Sequence, residues 1–227
     1  LLSYLHETQK SDLSYISDLE YYEQGRFMEL DLSARRNLEL TETIRGKEKR
    51  GSLLWVLDKT KTAMGARCLR AWLERPLREV SAITRRSNAV GALVGDTVAR
   101  EELILALSGI SDMERLIGRI VYGTAGGRDL VSLRSSIEQL AAVCEQLSHF
   151  TTGRLGELAR ELDPLTDVAA RIAETIVDEP PFSVREGGFI RKGFNAEVDR
   201  LHDILSGGKG LLASIETKEK ERTGIRT

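Results

Sequence analysis

A glycine-rich segment that carries a lysine, residues 207–210, is the first candidate for chemistry, because such loops can bind nucleotide phosphates. The phosphate-binding motif is Gly-x-x-x-x-Gly-Lys followed by Ser or Thr, in which backbone N–H groups and the lysine surround the phosphates and the hydroxyl reaches magnesium. Asp203 and Gly210 stand where the motif needs its first glycine and its hydroxyl, and the flanking pattern is helical. The sequence therefore predicts no nucleotide site here. The glycines within 123–127 predict a helix-to-helix turn instead.

Metal-binding and acid–base patterns are the next possibility, and the spacing of the relevant residues argues against both. Zinc ligands usually occur in pairs a few residues apart, and that spacing is absent from the histidines and cysteines, which are His6, His149, His202, Cys68 and Cys144. The adjacent acids Asp178 and Glu179 precede two prolines, which predicts a solvated loop. The two cysteines lie on apolar helical faces and are expected to be free, reduced core thiols. We therefore expect no catalytic, metal or cofactor site in this chain.

Basic pairs are candidates for contact with nucleic-acid phosphates. They are Arg35 with Arg36, Lys47 with Lys49 and Arg50, and Arg85 with Arg86. Isolated clusters of this kind more often form solvated faces or ion pairs. Because the 33 basic and 35 acidic residues almost cancel, no global field attracts nucleic acid, and any such contact must be local.

The composition indicates a soluble globular protein of one large domain or two unequal ones. Of the 227 residues, 41% are hydrophobic and 30% are charged. No apolar run reaches the ~18 residues of a membrane span, and no signal peptide precedes the first pattern. We expect a cytoplasmic protein with no membrane partner. The chain starts without Met and stops directly after a helical pattern, so we also expect it to be cut from a longer polypeptide.

Apolar residues recur at helical spacing almost everywhere, which predicts a mainly all-α fold with little or no sheet. A helix over 64–73 is expected to end before Pro76 and to bury Leu69 and Trp72. Two helical patterns lie between 79 and 107, and Ser111 with Glu114 predicts a capping box for the helix that follows. Shorter helices are expected at 155–162 and 168–177.

The longest helix is predicted between Gly126-Gly127 and Gly153, and it could act as a rigid strut. Its apolar residues alternate steps of three and four, as in a coiled-coil seam, and they are Leu130, Leu133, Ile137, Leu140, Cys144 and Leu147. The prolines after Asp178-Glu179 mark a change of organisation, and only residues 189–191 suggest a short strand.

A second, more polar helical pattern follows residue 194 and is predicted to project as an arm. Its heptad-like seam contains Val198, Leu201, Leu205, Leu212 and Ile215, and Gly207-Gly208 interrupts it. Residues 216–222 are almost all charged, and Glu216 is placed for an i to i+4 pair with Lys220. A helix that is polar all round faces solvent or meets a partner.

Several blocks of this sequence, in one order, resemble the MutS family of DNA mismatch-repair proteins. The blocks are 31–40 (DLSARRNLEL), 57–60 (LDKT), 64–67 (MGAR), 72–77 (WLERPL), 112–116 (DMERL), 128–130 (RDL), 186–190 (EGGFI), 193–195 (GFN) and 219–225 (EKERTGI). Several ordered motifs are far more specific than any single one.

The resemblance implies a multi-helix core, or lever, domain whose long helices extend into a DNA-embracing clamp. It implies that residues 1–24 are a connector tail and linker, 25–194 the helical core, and 195–227 the outgoing, truncated clamp arm. The parent protein is then expected to be a homodimer that binds double-stranded DNA containing mismatches. It is also expected to use ATP and Mg in an ATPase domain outside this chain, so this segment is not itself an enzyme.

The resemblance also places the basic residues of the arm near a clamp tip. Those residues, the candidates for DNA-backbone contact, are Lys218, Lys220, Arg222 and Arg226. The intervening acids dilute the positive field and predict weak, salt-sensitive binding.

Three alternatives remain open at the level of sequence. The first is a stand-alone helical adaptor that binds a protein partner through the arm. The second is a helical enzyme, for which no residue constellation is present. The third is a paralogue with the same core that processes other DNA structures.

Overall fold

The computed structural model describes residues 2–9, residue 16 and residues 25–224. The helices among them are α1 (Leu2–Gln9), α2 (Leu32–Asn37), α3 (Leu53–Leu57), α4 (Ala63–Glu74), α5 (Val80–Gly95), α6 (Thr97–Ser108), α7 (Met113–Val121), α8 (Gly127–Ser148), α9 (Gly153–Glu161), α10 (Thr166–Thr175), α11 (Ala196–Ser206) and α12 (Gly208–Thr223), with a 3-10 turn at Val184–Glu186. These residues contain two isolated antiparallel bridges and no sheet. The prediction of an all-α fold is confirmed. None of the helices described is both long and apolar enough to cross a membrane.

The 22-residue helix α8 lies at the centre and packs against α6, α7, α9 and α10. It begins at Gly127, as predicted for the strut, and ends at Ser148, before Gly153, which is the first residue of α9. Two hydrophobic clusters share its length. The N-terminal cluster buries Leu133, Ile137, Ile172 and Ile176 between α8, α10 and the residue that follows α10. The C-terminal cluster buries Ala106, Ile110, Val143, Leu147 and Leu155 between α6, α8 and α9. The predicted seam therefore faces the core.

A buried hydroxyl fixes the start of α7 against α8. The Oγ of Ser136, which is fully buried, accepts a hydrogen bond from the backbone N–H of Ser111 at 3.0 Å and donates to the carbonyl of Ser132 at 2.9 Å. Both directions of the hydroxyl are thus satisfied, as a buried polar group requires. Met113, just beyond this contact, packs against both hydrophobic clusters.

The predicted capping box at Ser111 is wrong, because the backbone of that residue is engaged with α8. The helix α7 begins one residue later, and the carboxylate of Asp112 accepts the N–H of Arg115 at 3.3 Å. Glu114 turns instead to Arg67 on α4. Arg67 donates to Asp112 through both terminal nitrogens, at 2.8 and 2.6 Å, which links α4 to the N-terminus of α7.

Two further burial predictions are wrong. Leu69 is only partly buried, and Trp72 is 46% exposed although the guanidinium of Arg86 on α5 lies 3.7 Å from its ring centroid. The prediction of core thiols is wrong for Cys68, which is exposed, whereas Cys144 is partly buried in α8. Both thiols are free, as predicted, and burial raises the pKa of the Cys144 thiol.

We expect the substitution Ile137→Ala to lower the free energy of unfolding by about 2–5 kcal/mol, because it leaves a cavity where α8 meets α10. Ile137 is 2% exposed. The matched control is Leu105→Ala on α6, which is 74% exposed and should change stability by about 0.5 kcal/mol or less. Urea unfolding of the three proteins provides the measurement, and equal losses in both variants would contradict this assignment of the core.

The ion pair between α4 and α7 predicts a dependence of stability on pH. Hydrogen bonds from Arg67 hold the pKa of Asp112 at about 2, below its ordinary value of 3.8. Because the folded pKa is the lower one, the stabilisation is present above the unfolded pKa and is lost as the pH falls from about 4 to about 2.

The substitution Asp112→Asn keeps an N-cap acceptor but removes this carboxylate. Its urea midpoint should lie below that of the parent chain at neutral pH, and the gap should narrow as the pH approaches 2. An exposed carboxylate on α6 gives the control, Glu101→Gln, which should show no such gap. A gap for Asp112→Asn that is independent of pH would rule out the ion pair as its cause.

Candidate functional site

The arm α11–α12 leaves the core where residues 189–191 run beside the end of α10. The N–H of Arg191 donates to the carbonyl of Thr175 at 2.7 Å, and the N–H of Val177 donates to that of Phe189 at 3.0 Å. A single antiparallel bridge joins Ile176 to Ile190. The short strand suggested by the sequence at this point is thus a bridge of minimal length, fixed by the burial of Ile176 in the N-terminal cluster.

The side chain of Arg191 completes this junction. Its guanidinium donates to the carbonyls of Ala173 at 3.0 Å and Ile176 at 3.1 Å, which satisfies acceptors at the open C-terminal end of α10. It also lies 3.3 Å from the carboxylate of Asp178, to which Arg134 on α8 donates at 3.0 Å. One carboxylate therefore connects the strut, the end of α10 and the root of the arm.

The partners of Asp178 were missed by sequence reasoning, which predicted only a solvated loop. Asp178 is exposed in a loop, as predicted, but the hydrogen bonds from Arg134 and Arg191 hold its pKa below the ordinary range. These residues are 44 and 13 positions away, and no periodic pattern relates positions so far apart. Pro180 adds a second contact to α8, because its carbonyl accepts a hydrogen bond from Arg128 at 3.1 Å.

The close approach of two side chains explains the glycine at the first position of α8. A Cβ on Gly127 would lie 2.7 Å from the Cβ of Pro180 and 3.3 Å from that of Phe189. The start of the strut therefore meets the 180–189 segment at a distance that only glycine allows. Together with the salt bridges to Asp178, this contact positions the root of the arm relative to α8.

Local hydrogen bonds start the arm. The side-chain oxygen of Asn195 caps α11 by accepting from the N–H groups of Glu197 at 2.9 Å and Val198 at 3.2 Å. The carboxylate of Asp199 accepts from the N–H of Gly193 at 2.8 Å. These hydrogen bonds fix the start of α11 directly after Asn195.

The arm is broken at Gly207, where the sequence predicts an interruption of the seam. Helix α11 ends at Ser206 and α12 begins at Gly208. A Cβ on Gly207 would lie 2.7 Å from the carbonyl oxygen of Asp203, so a larger residue would force the joint to shift. The glycine-rich segment 207–210 therefore forms a joint between two helices, and helix α11 precedes it in place of a strand.

The basic residues of α12 differ in how far they are neutralised. Lys220 lies 2.6 Å from Glu216, in the predicted i to i+4 pair, and Arg222 lies 2.8 Å from Glu219. The pair with Lys220 lowers the pKa of Glu216. Lys218 is exposed and has no ion pair among the residues described. The remaining candidate, Arg226, lies outside the described residues.

Helical geometry divides these residues between two faces. Lys218 and Arg222 are four residues apart and share a face, whereas Lys220 is two residues from each and points to the other side. The structure therefore brings together two of the three described candidates. The apolar residues Leu212 and Ile215 of the arm are also exposed, which leaves α12 largely uncovered.

Several residues of the other basic clusters have interaction partners within the chain. Arg85 forms a salt bridge with Glu157, Arg86 lies on Trp72, and Lys49 forms a salt bridge with Asp58. The hydrogen bond from Lys49 holds the pKa of Asp58 at about 2. Arg35 donates to the carbonyl of Leu30 at 3.0 Å. The described part of the chain contains no group of three or more side chains that could hold a metal ion.

Comparison with known proteins places this architecture in a family. The family described as MutS domain III matches residues 33–223. Similar relatives are the DNA mismatch repair proteins MutS of Alkaliphilus oremlandii, 47% identical, of Brevibacillus brevis, 46% identical, and of Listeria monocytogenes serotype 4a, 43% identical. Each alignment spans 227 residues, all of this chain, and 26% of the relative.

The chain thus spans about a quarter of the length of the curated relatives it matches, and residues 33–223 carry the match from α2 to the end of α12. The chain belongs to the MutS domain III family.

Proposed function

We propose that this chain is the core, or lever, segment of a DNA mismatch-repair protein and that it transmits ATP-driven conformational change to a clamp around DNA. The observation that supports this most directly is the family match over 33–223, on a fold in which the long central helix α8 contacts the segment that precedes α11 and α12. In this proposal residues 1–24 form a connector tail and linker, 25–194 the core, and 195–227 the outgoing half of the clamp arm.

The parent protein in this proposal is a cytoplasmic homodimer that binds double-stranded DNA containing mismatches. ATP and Mg bind in an ATPase domain outside these residues, and this segment performs no catalysis. The names of the relatives, all DNA mismatch repair proteins, support this choice over a stand-alone adaptor.

The mechanical part of the proposal depends on α8 and the junction at its N-terminal end. Two hydrophobic clusters hold α8 against its neighbours, so it should move as a rigid body. The contacts of Asp178 and Gly127 carry that motion to the root of the arm. Coupling of this kind is reciprocal, so DNA in the clamp should alter nucleotide affinity in the same protein.

The substitution Leu140→Pro in the full-length protein should uncouple DNA binding from ATP turnover, because proline breaks α8 at an interior position. The matched control is Leu140→Ala, which removes packing against the C-terminal cluster but leaves the helix continuous. Stimulation of ATP hydrolysis by mismatched DNA gives the measurement, and circular dichroism checks that both variants fold. Normal stimulation in folded Leu140→Pro protein would count against the lever.

The arm should contact the DNA backbone through Lys218 and Arg222, with Lys220 and Arg226 contributing from other positions. In the full-length protein, Lys218→Ala with Arg222→Ala should weaken binding to matched duplex. It should also reduce the slope of log affinity against log salt by about 2, because each phosphate contact contributes about one released counterion.

A matched pair of arginines on the core supplies the control. Arg70 and Arg100 lie on α4 and α6 and are paired with Glu74 and Glu101, so Arg70→Ala with Arg100→Ala removes the same charge from the core. This control should leave the salt slope unchanged. An unaltered affinity and slope in the arm variant, or an equal change in both variants, would contradict the assignment of the arm residues.

A further inference from the structure

Four arginines line one cavity at the side of the core, away from the arm. The cavity has a volume of about 460 Å³ and lies between the first turn of α5, the start of α9 and the segment around the Phe27–Leu77 bridge. Its arginines are Arg26, Arg85, Arg86 and Arg154. They come from three separate parts of the chain, so their convergence is a property of the fold.

Two of these arginines share a carboxylate. Arg85 and Arg154 both form salt bridges with Glu157, and Arg154 also lies 3.4 Å from Glu161. The side chain of Arg154 is 36% exposed, so this group is partly screened from solvent. Two carboxylates, Glu157 and Glu161, thus balance this pair, so the positive charge that is left for a ligand must come from the other two arginines.

The other two arginines lie against aromatic rings. The guanidinium of Arg86 is 3.7 Å from the ring centroid of Trp72, and that of Arg26 is 5.7 Å from that of Phe27. Neither forms a salt bridge with a carboxylate in the described ranges. A stacked guanidinium keeps its edge N–H groups free to donate, so both residues can bind an anion without leaving their rings.

The backbone adds a further positive contribution. Helix α5 is 16 residues long, and its N-cap, Glu79, makes no side-chain cap hydrogen bond. The carboxylate of Glu79 instead accepts from the hydroxyl of Ser81. Ser81 and Ala82 of the first turn line the cavity, at the end of the helix that carries the positive dipole. Against the four arginines, the carboxylates that line the cavity or pair with its arginines are Glu79, Glu157 and Glu161.

We propose that this cavity is a binding site for a phosphate group, in which Arg26 and Arg86 donate to the phosphoryl oxygens and Arg85 and Arg154, which are paired with Glu157 and Glu161, line the wall beside them. The planar fork of a guanidinium matches two phosphate oxygens, which favours phosphate over a spherical anion. The cavity greatly exceeds the ~30 Å³ that a water occupies in the liquid, so it can admit a hydrated phosphate group. The phosphate comes either from a free polyphosphate or from a DNA backbone.

Titration of the chain with inorganic tripolyphosphate, followed by calorimetry and tryptophan fluorescence, tests the site. Binding should change the emission of Trp72, which touches Arg86, and the change should disappear in Trp72→Phe protein, in which Trp55 remains. In Arg26→Gln with Arg86→Gln protein, the affinity should fall about tenfold or more, because two charge-assisted hydrogen bonds are lost. Arg171→Gln is the control, since Arg171 also lies over an aromatic ring, that of Phe194 at 4.9 Å, and should bind normally.

A short matched DNA duplex added to the same titration distinguishes the two sources. If the duplex displaces tripolyphosphate from the parent chain, and the double variant shows no such displacement, the site binds the DNA backbone. If the duplex leaves the binding of tripolyphosphate unchanged, the site binds a free polyphosphate. If the double variant does not fold, Arg86→Lys replaces it in the test. This substitution keeps the positive charge but removes the planar guanidinium, so the variant should bind tripolyphosphate more weakly than the parent chain. The proposal is overturned if neither probe binds, or if the cavity variants bind as tightly as the control.

Discussion

The burial of four apolar side chains along α8 is the constraint around which the rest of the described core is arranged; they are Leu133, Ile137, Val143 and Leu147. The helix has packed neighbours along its whole length, with α10 at its N-terminal half and α6 and α9 at its C-terminal half. A helix of 22 residues spans about 33 Å, at 1.5 Å per residue. Because both ends are packed, a displacement of one end cannot be absorbed by bending without opening a cluster.

Polar contacts then decide which elements follow α8. The Ser136 hydroxyl binds the start of α7, and Arg134 and Arg191 converge on Asp178 at the root of the arm. Exposed ion pairs contribute little stability individually. Their importance here lies in geometry, since the guanidinium of Arg191 also binds two carbonyls at the end of α10. The apolar clusters hold α8 in place, and these directional contacts fix the exit of the arm relative to it.

The sequence predicted well what depends on neighbouring residues and poorly what depends on the fold. The start of α8 and the break at Gly207 were predicted because glycines and apolar periodicity are local signals. The cap at Ser111 was wrong because α8 binds the backbone of that residue, and the burial of Trp72 was wrong because it depends on which distant elements cover α4.

The candidate site shows the same division. The pairing of Glu216 with Lys220 follows from helical spacing and was predicted. The convergence of Arg134, Asp178 and Arg191 was not, and neither was the meeting of Arg26, Arg86 and Arg154 at one cavity. The pattern of basic pairs in the sequence carried no information on which would be neutralised, because their partners, such as Glu157 for Arg85, come from distant elements.

The physical character of the chain changes beyond Asn195. Core helices are held by buried apolar surface, whereas α12 exposes Leu212 and Ile215 and is supported along its own length by pairs such as Glu216 with Lys220 and Glu219 with Arg222. Such pairs each stabilise a helix by only about 0.2–0.5 kcal/mol. The joint at Gly207 separates α12 from the fixed point at Asn195 by the length of α11. The orientation of α12 relative to the core therefore depends on α11 and on the single joint at Gly207. A rigid-body movement of α8 can reach α12 only if that joint is itself rigid.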